Sequence, residues 1–120
     1  RMAGPGYGRT LGEALVSEGL AGQFVRKLFG NAPEPWECAV DDDALRQHFP
    51  ADEELAAGSY DHDAWFFGAG GTYPPCLGYT LGYRLVGAWL EQAGPVDVAT
   101  WIDVPAETVL SVGKGAFARG

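Results

Sequence analysis

Cations are scarce in this sequence. Eight Lys and Arg stand against 16 Asp and Glu, giving a formal net charge of −8 over 120 residues. The basic surface that nucleic acid or an anionic membrane requires is missing, so neither is expected as a partner. The acid excess is compatible with a cation or a basic peptide as ligand, and equally with plain solubility. Long apolar runs are also missing: no stretch nears the roughly 18 residues needed to span a bilayer. The opening residues show no charged region followed by an apolar run, so no signal peptide is expected and a cytoplasmic location follows. Cys38 and Cys76 are the two cysteines, far apart and in no C-x-x-C pattern, which argues against a cysteine zinc site; a disulfide between them is open, and two buried thiols are the expectation. Sustained period-two alternation is absent, which argues against strands.

What is present suits one helical domain over residues 1–120. A hydrophobic fraction of 47% with four Trp is enough for a core, and a chain of this size buries roughly two-thirds of its unfolded surface. Residues 1–9 read as a loop. Thr10-Leu11-Gly12-Glu13 matches a capping box and opens a helix that runs to about Phe29 and stops at Gly30-Asn31, before Pro33 and Pro35. A connector follows to Cys38. Asp41-Asp42-Asp43 caps a short helix ended by Pro50, and Asp52-Glu53-Glu54-Leu55 starts another that stops near Gly58. Pro74-Pro75 suits the start of a second long helix over Cys76–Gln92. Its stripes Leu77, Leu81, Leu85 and Tyr79, Tyr83, Val86 cover two sides, as in a central, buried helix. Gly78 and Gly82, four apart, would let another backbone come close. Short helices are expected over 96–102 and 106–112. The fold class is all-α: two long buried helices plus several short ones.

One residue stands out chemically. On a helical wheel Leu11, Ala14, Leu15, Ala21, Val25, Leu28 and Phe29 share a broad face, with Glu18 near its middle and Gln23 and Lys27 on the far side. A carboxylate buried there without a partner is costly. It must be protonated, paired with a base such as Arg1, Arg9 or Arg84, or bound to a metal.

The string Leu15-Val16-Ser17-Glu18-Gly19-Leu20-Ala21 resembles the Glu-Gly-Leu-Ala segment of gluzincin-type zinc metallopeptidases. Trp65-Phe66-Phe67-Gly68, then Pro75, then Gly78-Tyr79-Thr80-Leu81-Gly82-Tyr83-Arg84, looks like the downstream half of a bacterial family of predicted zinc-dependent proteases, a domain of unknown function (DUF2268). The resemblance implies a zinc-dependent hydrolase acting on peptide or protein, with Glu18 as the third zinc ligand. It also implies that Gly19, Ala21 and Gly22 let the ligand helix approach the zinc-binding helix closely. In such a peptidase a Tyr hydroxyl can donate to the oxyanion. Tyr79 is the first candidate and Tyr83 the second, the alternative being that both are core aromatics. Arg84 could pair with Glu18 or hold a substrate carboxylate. His62, between Asp61 and Asp63, is either a substrate-site residue or part of a loop salt bridge.

One departure is large. The sequence holds no H-E-x-x-H, the motif that in this family supplies two His ligands and the general base just ahead of the Glu helix. The chain therefore reads as the C-terminal part of such a domain, inactive by that route alone and not expected to hold zinc tightly, with zinc belonging to the complete parent domain. The rival is a non-catalytic helical binding module with Glu18 in a structural ion pair. The first reading requires an apolar groove beside Glu18, a surface through which copies of the chain could self-associate. The second requires that face to be closed.

Overall fold

In a computed structural model, which describes residues 10–30 and 32–119, Thr10 opens the first helix, α1 (Leu11–Phe29), through the expected capping box. The Glu13 amide donates to Thr10 Oγ1 and the Thr10 amide to Glu13 Oε1, both at 3.1 Å. Gly30 closes the helix in the left-handed region (φ 68°), its amide donating to the Arg26 carbonyl at 2.7 Å. Short helices follow: α2 (Asp42–Gln47), α3 (Asp52–Ala56) and α4 (His62–Phe67). Asp41 and Asp61 cap α2 and α4 by accepting the amides of Ala44 and Ala64, so the acidic run at 41–43 serves a helix terminus. The second long helix, α5 (Leu77–Ala93), is followed by α6 (Val98–Asp103) and α7 (Ala106–Arg119). All regular structure among the described residues is helical, so the chain is all-α. No helix among them is long and apolar enough to cross a membrane.

Three boundaries differ from expectation. The connector after α1 contains a 3₁₀ turn, Pro35–Glu37. The two prolines precede α5 rather than open it, because Cys76 takes a left-handed conformation (φ 67°) immediately before Leu77. And α7 continues through Gly113 and Gly115 to Arg119, held by packing along α5 where local propensity alone would stop it. The loop expected over residues 1–9, with Arg1 and Arg9 as candidate partners of Glu18, lies outside the described residues.

The architecture turns on the crossing of α1 and α5. A Cβ on Gly19 would lie 2.1 Å from the Gly82 carbonyl oxygen, and one on Gly82 would lie 2.2 Å from that of Leu15. The two backbones are in direct contact, and no side chain fits between them. Around this crossing lie two buried clusters. One joins Leu11 and Leu15 to Leu45, Leu55, Trp65, Phe66, Leu77, Leu81 and Leu85. The other joins Val16 and Leu20 to Val86, Trp89, Trp101, Val104 and Val109. Trp101 Nε1 donates to the Leu20 carbonyl at 3.2 Å, so its buried ring keeps a polar partner.

The expected single apolar face of α1 is divided. Its N-terminal half is buried, with Leu11, Ala14 and Leu15 at 1% exposure or less. Its C-terminal half is open: Val25 is 44% exposed, Leu28 60% and Phe29 69%, and Ala21 is exposed too. Gln23, expected on the solvent side with Lys27, is instead buried, and its side-chain amide donates to the Tyr83 carbonyl at 3.0 Å. The reason is α5, which packs on the flank carrying Gly19 and Gln23. Lys27 is exposed as expected, whereas the thiols expected to be buried are not: Cys38, at the end of the 3₁₀ turn, is exposed and Cys76 is half-buried, both free.

Replacing Gly82 by Ala is expected to destabilise the chain by about 1–3 kcal/mol. This outweighs the gain of up to about 1 kcal/mol in helix propensity. Denaturant unfolding checks it: a Gly82→Ala chain as stable as the parent would mean that α1 and α5 do not touch there.

Candidate functional site

Glu18 is half-buried, on the face of α1 that continues into Ala21, Val25 and Leu28. It borders a cleft of about 230 Å³ lined by α1 (Ala21, Gly22, Val25, Arg26), by the segment after it (Ala32, Glu34, Trp36, Glu37) and by Tyr79 of α5. Gly22, having no side chain, lets Glu37 pack against α1 at the edge of this cleft. A Cβ there would lie 2.0 Å from Glu37 Oε2 and 3.2 Å from the Tyr83 ring. The segment carrying Trp36 and Glu37 is tied to α5 by buried Thr80, whose hydroxyl donates to the Trp36 carbonyl at 3.0 Å and accepts the Ala39 amide at 3.2 Å.

Of the candidates, the structure brings Glu18 and Tyr79 together. Burial, then the Glu18 carboxylate, then Cys76 raise the Tyr79 hydroxyl above its ordinary value of 10.0. Tyr79 is thus a neutral hydrogen-bond donor through the physiological range. Its ring packs edge-on against Phe66 with 5.1 Å between centroids, which fixes its direction. Tyr60 flanks the same carboxylate. Its hydroxyl is raised by burial and by Glu13 and Glu18, and lies 3.4 Å from His62 Nδ1. His62 reaches this neighbourhood through Tyr60 and stacks on Phe66 at 4.5 Å between ring centroids. Asp61, expected as a salt-bridge neighbour, is engaged as the cap of α4.

Tyr83 and Arg84 lie elsewhere. Tyr83 is buried, and its hydroxyl accepts from Arg26 Nη1 at 3.5 Å. Arg84 is exposed and donates to Asp42 Oδ1 of α2 at 2.5 Å, which holds the Asp42 carboxyl below its usual 3.8. Both line a second, shallow cleft of about 680 Å³ with Arg26, Arg46 and Glu91. Arg26 borders both clefts.

Of the three small residues after Glu18, Gly19 is covered by α5, and Gly22 accommodates Glu37 and Tyr83. Ala21 remains on the open face. Glu37 was not singled out from the sequence, although Glu34-Pro35-Trp36-Glu37 carries a signal. A carboxylate three residues after the start of a proline-led turn is placed to accept the first amide, and Glu37 Oε1 accepts that of Glu34 at 2.9 Å.

The described residues thus place a half-buried helix carboxylate and a neutral tyrosine at one cleft, beside the exposed apolar half of α1. The chain belongs to the family described as predicted Zn-dependent protease (DUF2268), whose model matches residues 2–111. No curated protein and no solved structure matches it. The family name implies zinc. Among the described residues, no three His, Cys, Asp or Glu side chains converge on one point where an ion could sit. Catalytic zinc takes three protein ligands and structural zinc four. The described residues therefore do not complete a zinc site by themselves; they offer a carboxylate, a hydroxyl and an apolar surface.

The field of Glu18 on both tyrosines is measurable. Tyr60 and Tyr79 keep their protons to higher pH when folded than when unfolded. Their contribution to stability is therefore complete below the unfolded value and is lost as pH rises through the folded one. Glu18→Gln is expected to lower both phenol midpoints toward 10.0, read by phenolate absorbance or tyrosine-labelled NMR. An unmoved Tyr79 midpoint would mean that Glu18 does not face it.

Proposed function

We propose that this chain forms the part of a zinc-dependent peptidase domain that supplies the third metal ligand, Glu18, and one wall of the substrate cleft. The observation that carries this reading is the open half of α1. Glu18 shares its face with exposed Ala21, Val25 and Leu28, with Phe29 adjoining. Exposed apolar groups in a row mark a surface meant to be covered. A helix laid along it would pass directly over the Glu18 carboxylate. In this reading that helix carries H-E-x-x-H and lies outside the 120 residues.

Zinc, when bound, polarises a scissile carbonyl and activates water. The chain's own residues have narrower tasks. Glu18 presents its carboxylate from a rigid helix whose position is fixed by the α5 crossing. Tyr79, held neutral and aimed by Phe66, donates to the developing oxyanion. Val25, Leu28 and Phe29 seat the covering helix and exclude water from one side. Without it the isolated chain is inactive, and the open face is where two copies would meet.

In a longer polypeptide that includes an H-E-x-x-H segment, Glu18→Gln is expected to weaken zinc retention by at least the roughly 10–100-fold lost when an outer-shell partner is removed. Metal content after dialysis reads this directly. Unchanged metal content would favour the rival reading, a helical interaction module with Glu18 in a structural ion pair, as would the lack of any such segment in the encoding gene. Tyr79→Phe should lower kcat by about 10²–10³ with little change in KM. In the isolated chain, Leu28→Glu should reduce concentration-dependent self-association in sedimentation experiments; equal association would place that contact elsewhere.

A further inference from the structure

The few cations of this chain are not spread evenly. Eight Lys and Arg stand against 16 Asp and Glu overall. Around the shallow cleft of about 680 Å³ the balance is reversed: Arg26, Arg46 and Arg84 line it, with Glu91 as the one acid among the described lining residues. A smaller adjoining cleft shares Gln23, Arg26 and Leu90 with it, and adds Lys27 but no acid. Four of the eight cations thus gather on one side of an acidic protein. Arg26 and Arg46 stand in the last turns of α1 and α2, where a positive charge complements the helix dipole. That accounts for their type. It does not account for Arg84, which comes to the same cleft from the middle of α5. Like charges gathered at one cleft repel, and an anion seated among them offsets the repulsion. The carboxylates at hand do so weakly. Asp43 meets Arg46 at 3.4 Å from a side chain that is 99% exposed, and the Arg84–Asp42 pair is half-exposed on both sides; exposed pairs contribute little. Arg26 has no carboxylate partner among the described residues, and donates to the Tyr83 hydroxyl at a long 3.5 Å. That hydroxyl belongs to a buried side chain and meets no acceptor for its own proton among the described residues.

We propose that this cleft binds a carboxylate of the peptide substrate, held by the guanidiniums of Arg26, Arg46 and Arg84 with the Tyr83 hydroxyl beside them. This deepens the peptidase reading and rests on it for the identity of the ligand as a substrate. One of the two roles expected of Arg84 was to hold such a carboxylate; Arg26, Arg46 and Tyr83 join it in that role. A guanidinium carries several donors in a planar fork that matches a carboxylate, so an arginine bonded through one nitrogen still accommodates a second oxyanion. Arg26 links the cleft to Glu18, because it borders both clefts. It stands eight residues beyond Glu18 on α1, which is about 12 Å along the axis at about 1.5 Å per residue. An extended peptide advances about 3.3 Å per residue, so a carboxylate at Arg26 lies about four residues from the group that faces Glu18. The volume is in the range of pockets that take an organic ligand, and Gly87, Ala88 and Leu90 give it a small apolar wall. The carboxylate is either the C-terminus of a short substrate or an Asp or Glu side chain a few residues from the scissile bond. The first would make the parent enzyme selective for short peptides, the second for acidic sequences.

The test is an NMR titration of the chain with N-acetyl-alanine, which has only an α-carboxylate; N-acetyl-aspartic acid α-amide, which has only a side-chain carboxylate; and N-acetyl-alanine amide, which is neutral. At least one carboxylate is expected to shift the Arg26 and Arg84 Nε–H and Gly87 amide resonances, and the neutral probe to leave them in place. The tighter of the two identifies the source. Arg26→Gln should weaken binding about tenfold. Lys114→Gln removes the same charge outside the cleft and should leave the affinity within about twofold. Should a variant fail to fold, the unmodified chain still decides, since charge-driven binding must weaken as salt is added. Equal shifts by the neutral probe, binding indifferent to salt, full affinity in a folded Arg26→Gln chain, or equal losses in Arg26→Gln and Lys114→Gln would overturn the proposal. Inorganic phosphate is the last probe: shifts by phosphate with none by either carboxylate would overturn it too and make the cleft a phosphate site. Carboxylate binding without zinc retention through Glu18 in the longer polypeptide would overturn the ligand's identity as a substrate. Zinc held through Glu18 with no carboxylate bound would leave the peptidase reading standing and remove this one.

Discussion

The contact between the backbones of α1 and α5 at Gly19 and Gly82 governs the rest of the molecule. Two helices with ordinary side chains at their crossing keep their axes 8–10 Å apart. Here the carbonyls of Leu15 and Gly82 occupy the space where a Cβ would stand. That approach sets the depth of the apolar clusters around the crossing. It also decides which flank of α1 is covered. Because α5 takes the flank of Gly19 and Gln23, the flank of Glu18, Ala21 and Val25 is left open in the helix's second half.

The cleft beside Glu18 is a consequence of the same approach. Tyr79 reaches Glu18 because it lies one turn before Gly82. Thr80, adjacent to it, fastens the 3₁₀ segment that carries Trp36 and Glu37. Gly22, one turn beyond Glu18, leaves room for the Glu37 carboxylate. Two carboxylates, a tyrosine and a tryptophan thus come from three separate stretches of chain, each fixed by a contact that has nothing to do with ligands. The three short helices between α1 and α5 contribute indirectly. Their buried Leu45, Leu55 and Phe66 join the cluster that supports the N-terminal half of α1, and Phe66 sets the direction of Tyr79.

Local signals in the sequence were reliable where a helix end is fixed by its own residues. The box at Thr10 and Glu13, the stop at Gly30 and the cap at Asp41 all depend on bonds spanning four residues or fewer. Glu18 was visible as an acid on an apolar face because a wheel needs no tertiary information. The division of that face was not visible. Periodicity reports that Val25, Leu28 and Phe29 are apolar, and says nothing of whether another element reaches them. Gln23 was misplaced for the same reason: the wheel set it opposite Glu18, yet the Tyr83 carbonyl was waiting there. Glu37 escaped notice because a 3₁₀ turn of three residues has no periodicity to read.

The two long helices, the all-helical class, the membership of Glu18 in an apolar stripe and the caps at Thr10, Gly30 and Asp41 were determined by the sequence alone, since each depends on neighbours a few bonds apart, whereas α4 (His62–Phe67) was not expected. The tertiary structure alone decided that Tyr79 and not Tyr83 stands by Glu18, that Arg84 turns to Asp42, and that the Glu37 carboxylate packs against Gly22. These pairings join residues 15 to 61 positions apart along the chain. They depend on which helix flank comes into contact, and that follows from how closely two backbones can approach.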